Sequence, residues 1–148
     1  MSDKGLDLHI DTLVIDSGSE ITADGRRFRG GNDSICAYTD SFACGATGNS
    51  GGSFGGTGGN VDGNAVGSYG NAAEPVKFGS GGAFDMSSTF GGAGGGCIRL
   101  QCDRIINNGM ITADGLESDS GGGGSGGSIM LTANSIEGTG YFSATGGN

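Results

Sequence analysis

Tryptophan is missing from this chain of 148 residues, proline and histidine occur once each, and lysine and arginine together number seven. Each shortage excludes something. Set against 16 acidic residues, those seven cations leave a net charge of −9. Phosphate backbones are bound by clustered cations, so no nucleic-acid partner is expected. The one basic cluster, Arg26, Arg27 and Arg29, reads as a solvated turn. The lone histidine, His9, sits between Leu8 and Ile10; it points outward from a strand, without the cleft, acid and serine that a catalytic triad needs. With no second histidine and no C-x-x-C pair, a zinc site is not expected either. No apolar run reaches about eighteen residues, so no membrane-spanning helix is expected. The start, MSDKGLDLHID, has no apolar stretch of the signal-peptide kind; if the protein is secreted, this is expected to be a mature segment or a fragment of something longer.

What the chain has instead is glycine, 36 residues of it, and a repeat. Such a composition is not that of an ordinary globular core. Ile98–Gly115, IRLQCDRIINNGMITADG, recurs without a gap as Leu8–Gly25, LHIDTLVIDSGSEITADG, and as Ile129–Gly146, IMLTANSIEGTGYFSATG. In that superposition Leu8, Ile98 and Ile129 share a column, as do Ile10, Leu100 and Leu131. Ile15, Ile105 and Ile136 form a third, Ile21, Ile111 and Phe142 a fourth, and Ala23, Ala113 and Ala144 a fifth. The first two columns lie two residues apart, as do the last two, with polar residues between, which is the period of a strand with one buried face. Each copy is therefore expected to be two short strands around a bend. A unit so thin cannot bury its apolar face alone, so the copies must stack. The expectation is one all-β domain over 1–148, a short β-solenoid of about three coils with these columns as its core ladder.

The spacing lays out the rest. Ile98 to Ile129 is 31 residues, whereas Leu8 to Ile98 is 90. A coil thus consists of the repeated unit plus a glycine-rich return, SGGGGSGGS at 120–128. The first coil is 1–25, the second and third occupy 96–148, and 26–95 is a glycine-rich insertion. Within it, glycines fall at 45, 48 and 51 and at 52, 55 and 58, the three-residue period of a polyproline II thread. Glycine leaves such threads bare enough to pair through N–H···O=C and Cα–H···O contacts, so the insertion is either a polyglycine II-type bundle or a flexible linker. The interleaved Phe42, Phe54, Val61, Tyr69, Val76, Phe78, Phe84 and Phe90 favour the bundle, because a linker does not need them.

These segments resemble a family of glycine-rich extracellular proteins, whose repeats run as a glycine-rich return, a short apolar alternation and an ISA(D/N)G-type turn. The matching stretches are GGAGGGCIRL at 91–100, MITADG at 110–115 and GGSIMLTANSIEGTGYFSATGGN at 126–148. SYGNAAEPVKFGSGG at 68–82 is similar to the punctuation of that family's long loop. The resemblance implies a surface, matrix or filament role, outside the cell or at its surface, with no catalytic residues to carry over. The four cysteines and the small number of coils depart from it.

Four cysteines allow three pairings. Cys36 and Cys44 flank a short loop in the insertion and are the candidate disulfide of an oxidising compartment. Cys102 shares the column of Thr12 and Ala133 and reads as a small core residue, while Cys97 lies on the other face, which makes a bond between these two awkward. Asn32-Asp33-Ser34 is the one N-glycosylation sequon, and outward Ser and Thr are open to O-linked sugar. Asp24, Asp114, Asn32-Asp33 and Asn60 to Asp62 sit beside glycine, and GGNDSI at 30–35 is similar to calcium-binding nonapeptide turns. Those turns work in tandem, and Asp or Asn next to glycine more often makes a plain turn; no cofactor is expected.

The functional expectation is a non-enzymatic structural protein, a homo-oligomer or homopolymer that builds an extracellular filament, sheath or coat. An adhesin or a glycan- or ice-binding module using the aromatic-studded insertion is the alternative. A β-helix enzyme would need clustered carboxylates and a basic residue on one face of several coils, and the outward column Asp11, Gln101, Thr132 holds no such ladder.

Overall fold

A computed structural model describes residues 5–26, 29–31, 46–61, 64–65, 67–84 and 90–148. It is all-β, with no helix among the described residues. The repeated units form pairs of strands: β1 (Leu6–Ile15) with β2 (Glu20–Thr22), β3 (Cys97–Asn107) with β4 (Met110–Thr112), and β5 (Ser128–Glu137) with β6 (Tyr141–Ser143). Two three-stranded parallel sheets result, β1-β3-β5 and β2-β4-β6. In both sheets the second unit is central and the first and third are edges. Parallel neighbours need a long connection, and the glycine-rich segments before β3 and β5 supply it.

Between the second and third units the register is the expected one. Ile98 pairs with Ile129, Leu100 with Leu131, Ile105 with Ile136 and Ile111 with Phe142. In the first unit the long strand is displaced by two residues. Leu6, not Leu8, lies beside Ile98; Leu8 lies beside Leu100, Ile10 beside Cys102, and Leu13, not Ile15, beside Ile105. Ile15 faces Asn107, while Ile21 returns to its expected place on Ile111. The cause is the bend: Asp16, Ser17, Gly18 and Ser19 separate β1 from β2, whereas only Asn108 and Gly109 separate β3 from β4. The wider bend is a turn closed by Ser19 N–H on the Asp16 carbonyl, with Gly18 at φ +82°, a value that side-chain-bearing residues rarely adopt. Because side chains alternate with a period of two, a two-residue slip keeps every apolar residue on the same face. The column of Cys102 is therefore Ile10 and Ala133 instead of Thr12 and Ala133, and the outward column through Gln101 is His9 and Thr132 instead of Asp11 and Thr132.

The core lies inside the second unit and against its two neighbours: Ile98, Leu100, Cys102, Ile105, Ile111 and Ala113, with Ile15 and Ala23 from the first unit. Leu8, Leu13, Ile21, Ile129, Leu131 and Ala133 pack around it half-buried. Each fully buried aliphatic side chain stabilises by about 1.5–3 kcal/mol.

Beside the sheets runs an array without strands. Gly79 and Gly82 N–H donate to the carbonyls of Gly95 and Gly92, and Gly92 and Gly95 N–H donate to Gly122 and Ser125. Gly122 and Ser125 N–H donate in turn to Ala83 and Ser80, while Gly124 and Gly127 N–H donate to Leu116 and Ala113. In every case residues three apart serve the same neighbour, the repeat of an extended threefold thread. Thread 121–127 is buried throughout from 122. A Cβ on Gly122 would strike the Ser50 carbonyl, one on Gly124 that of Ala93, and one on Gly127 that of Gly96. Two neighbouring segments, one at Ser50 and one at Ala93 and Gly96, thus close on this thread, and only glycine lets them.

Candidate functional site: open sheet ends and the glycine threads

The three units carry the same apolar pattern but differ in what covers them. In the column of Ile105, which is 0% exposed, Ile136 of β5 is 50% exposed. Beside Ile111, also 0% exposed, Phe142 of β6 is 41% exposed. On the opposite side, Leu6 and Ile10 of β1 flank buried Ile98 and Cys102 and are 38% and 39% exposed. Apolar surface is therefore on view at both edges of the stack, as it also is at Val61, Phe90 and Leu116 away from the strands. At the edges, β1 and β5 each have a strand partner on one side only among the described residues. Such edges are templates for further pairing unless blocked, and neither strand contains proline or lysine.

Polar side chains hold the units in step. The Asp24 carboxylate accepts from Thr112 Oγ1 (3.0 Å) and from Asp114 N–H (2.7 Å), and Thr112 Oγ1 also lies 3.0 Å from Thr22 Oγ1. One unit on, the Asp114 carboxylate accepts from Ser143 Oγ (2.7 Å) and Thr145 N–H (2.7 Å). These aspartates thus link successive units. No group of three or more potential metal ligands exists among the described residues. Asn60 Oδ1 accepts from Ala65 N–H, which makes it a turn residue. On the outer face Arg104 makes a paired contact with Glu137, Nε to Oε1 at 3.1 Å and Nη2 to Oε2 at 2.7 Å. Mutual hydrogen bonding, aided by opposite charge, holds the Glu137 carboxyl below its ordinary range and raises Arg104.

His9 is exposed, its Nε2 3.0 Å from Asp7 Oδ1, in a shallow depression with Gln101 and Thr132. Cys97 and Cys102 are buried free thiols, and loss of hydration pushes both above the ordinary thiol range. The candidate disulfide, Cys36 and Cys44, and the candidate glycosylation site, Asn32, lie outside the described residues. Of the aromatics read as a contact surface, Phe54 and Tyr69 pack edge to face at 5.1 Å, and Tyr69 Oη donates to the Phe78 carbonyl at 2.6 Å. Phe78 is buried, whereas Phe90 and Val61 are exposed.

A set of buried serines escaped the sequence reading. Ser80 N–H donates to Ser125 Oγ (2.8 Å) and Ser125 N–H to the Ser80 carbonyl (2.9 Å). Ser80 Oγ donates to the Ser53 carbonyl (2.8 Å), and Ser128 Oγ donates to that of Lys77 (2.5 Å). Their signal is the G-G-S spacing: Ser125 and Ser128 are three apart in GGSGGS, one thread turn. Each such hydroxyl bond to a neighbouring main-chain carbonyl contributes about 0.5–1.5 kcal/mol. Comparison with protein-family models, curated proteins and solved structures finds no match to this chain.

Proposed function

We propose that this protein is a non-enzymatic structural module, a short β-solenoid flanked by a polyglycine II-type bundle, which self-associates through its open ends into an extracellular filament, sheath or coat. The observation that carries the reading is the contrast in cover. One unit's apolar column is sealed by two neighbours, and the same column in the other two units has a neighbour on one side only. A parallel edge offered to an identical chain makes a head-to-tail contact, which propagates unless rotation closes it. The array of glycine threads adds rigidity without a large core, as a filament subunit needs.

The test is self-association of the isolated chain, followed by light scattering and electron microscopy over a concentration series. Elongated particles that disappear in Ile136→Lys and Phe142→Lys variants are the expected result. A monomer at the highest concentration reached, without filaments, overturns the reading. The glycan-binding alternative is favoured by one feature, a cavity of about 290 Å³ lined by Phe54, Tyr69 and Pro75. Retention on a glycan array, lost in Pro75→Ala with assembly unchanged, is its expected signature.

A further inference from the structure

The thread array repeats with the same 31-residue offset as the strands, and the offset exposes an unfilled position. Gly92 and Gly95 N–H donate to thread 121–127, at Gly122 and Ser125. Thirty-one residues on, their counterparts are Gly123 and Gly126. Both are buried, yet neither N–H has an acceptor among the described residues. One thread over, Ala113 and Gly115 N–H donate to the Ser143 and Thr145 carbonyls, while their counterparts Ala144 and Gly146 are exposed and donate to nothing described. Buried amides are almost always paired, so a row of donors in matching register marks a place where a chain belongs.

A groove lies there. It has a volume of about 470 Å³, with Gly123–Gly127 along one side, Ala144, Gly146 and Gly147 on another, and residues 51–59 on a third. Its lining is mostly glycine backbone, with Phe54, Thr57, Ser125 and Ala144 the exceptions, so it offers amides and carbonyls and no charge. A sugar ring would find no aromatic face along the 123–127 side. We propose that this groove binds an extended glycine-rich polypeptide segment, with glycine at every third residue, as the next thread of the array. The ligand's carbonyls accept from Gly123 and Gly126 as Gly122 and Ser125 accept from Gly92 and Gly95. Its glycines are required because the threads already present approach so closely that a Cβ strikes carbonyl oxygens. The proposal rests on the hydrogen-bond register and stands apart from self-association of the sheets.

The probe is a blocked synthetic peptide of the chain's own return sequence, SGGGGSGGS, titrated into the full-length protein and followed by amide NMR. Ordering a glycine peptide costs entropy, so millimolar concentrations are used. Shifts at Gly123 and Gly126, with their hydrogen exchange slowed by roughly tenfold or more, are expected; SAAAASAAS should do neither. Gly56 and Gly59 line the groove, and a Cβ on either meets nothing within 4 Å. Gly56→Val and Gly59→Val therefore obstruct the groove while keeping the fold, and should abolish the response, whereas Gly67→Val, equally open but elsewhere, should not. No response, an equal response to the alanine peptide, or a response to oligosaccharide in its place overturns the proposal. A monomeric protein that binds the peptide sinks the assembly reading and leaves this one standing; filaments without peptide binding do the reverse.

Discussion

The second unit and the third share one apolar pattern, yet one is sealed and the other open. Ile105 and Ile136 occupy the same register position on neighbouring strands, and only Ile105 is flanked on both sides by further strands. The difference teaches that burial here belongs to position in the stack, and the amino-acid pattern alone does not determine it. The sharpest way to break the comparison is to truncate both. Ile105→Ala should cost about 2–5 kcal/mol, the range for a buried aliphatic that leaves a cavity, while Ile136→Ala should cost under about 1 kcal/mol. Urea denaturation of each variant at low protein concentration reads both values. Equal losses would mean that β5 is covered in solution, so that the isolated chain is not the relevant state.

A second contrast lies within the glycines. At Gly127 a Cβ would collide with the Gly96 carbonyl, and at Gly59 it would meet nothing. Gly127→Ala should then destabilise by roughly 1–3 kcal/mol, as overpacking does. Gly59→Ala should be neutral or stabilising by up to about 1 kcal/mol, through the unfolded chain. If thermal melts of the two variants coincide, the threads are not packed as described.

The same contrast shows what could be read in advance. Paired strands around a bend, parallel stacking and the register of the last two units were legible, because Ile98, Leu100, Ile105 and Ile111 alternate and recur at a constant offset. The first unit's slip was not. Shifting Leu6–Ile15 by two residues leaves apolar against apolar, so the columns look equally good in either register, and the deciding feature is the length of the bend around Gly18. The threads were legible as a period of three, but the sequence pointed to 45–58, whereas the densest pairing joins 79–83, 91–96 and 121–127. Glycine has no side chain with which to name its neighbour. The open sheet ends could be anticipated from three copies of a unit that needs two neighbours; the three-residue spacing of Ser125 and Ser128 marks a thread but does not name the carbonyls their hydroxyls meet.

The links between units should be weaker than the core but still measurable. Asp24 joins the first unit to the second and Asp114 the second to the third. Removal of Asp114 leaves a backbone N–H and a hydroxyl without their acceptor, and removal of Asp24 leaves the Asp114 N–H so, Thr112 Oγ1 keeping Thr22 Oγ1, each at about 1–2 kcal/mol. Asp24→Ala should increase amide exchange near Thr112 and Asp114, and Asp114→Ala near Ser143 and Thr145. Loss spread evenly over all three units would show that the carboxylates do not act as local links.

The smallest effect is expected from Arg104 and Glu137, which link the second and third units on the exposed face. Their contact is well formed, but water surrounds both groups, and salt screens such pairs over about 8–10 Å at ordinary ionic strength. The guanidinium stays charged across the accessible pH range, so only Glu137 titrates. Its folded-state pKa is lowered by hydrogen bonding to Arg104. What the pair contributes is therefore present above the ordinary glutamate pKa and is lost as pH falls through the lowered one. Carboxyl NMR of Glu137 should give an acid midpoint below that of a free glutamate. Arg104→Gln should move it back up, and high salt should move it part of the way, with little change in the urea midpoint at neutral pH. A midpoint indifferent to Arg104→Gln would mean that the paired geometry is not populated in solution and that the second and third units are joined by their ladders and by other side-chain links, Asp114 among them.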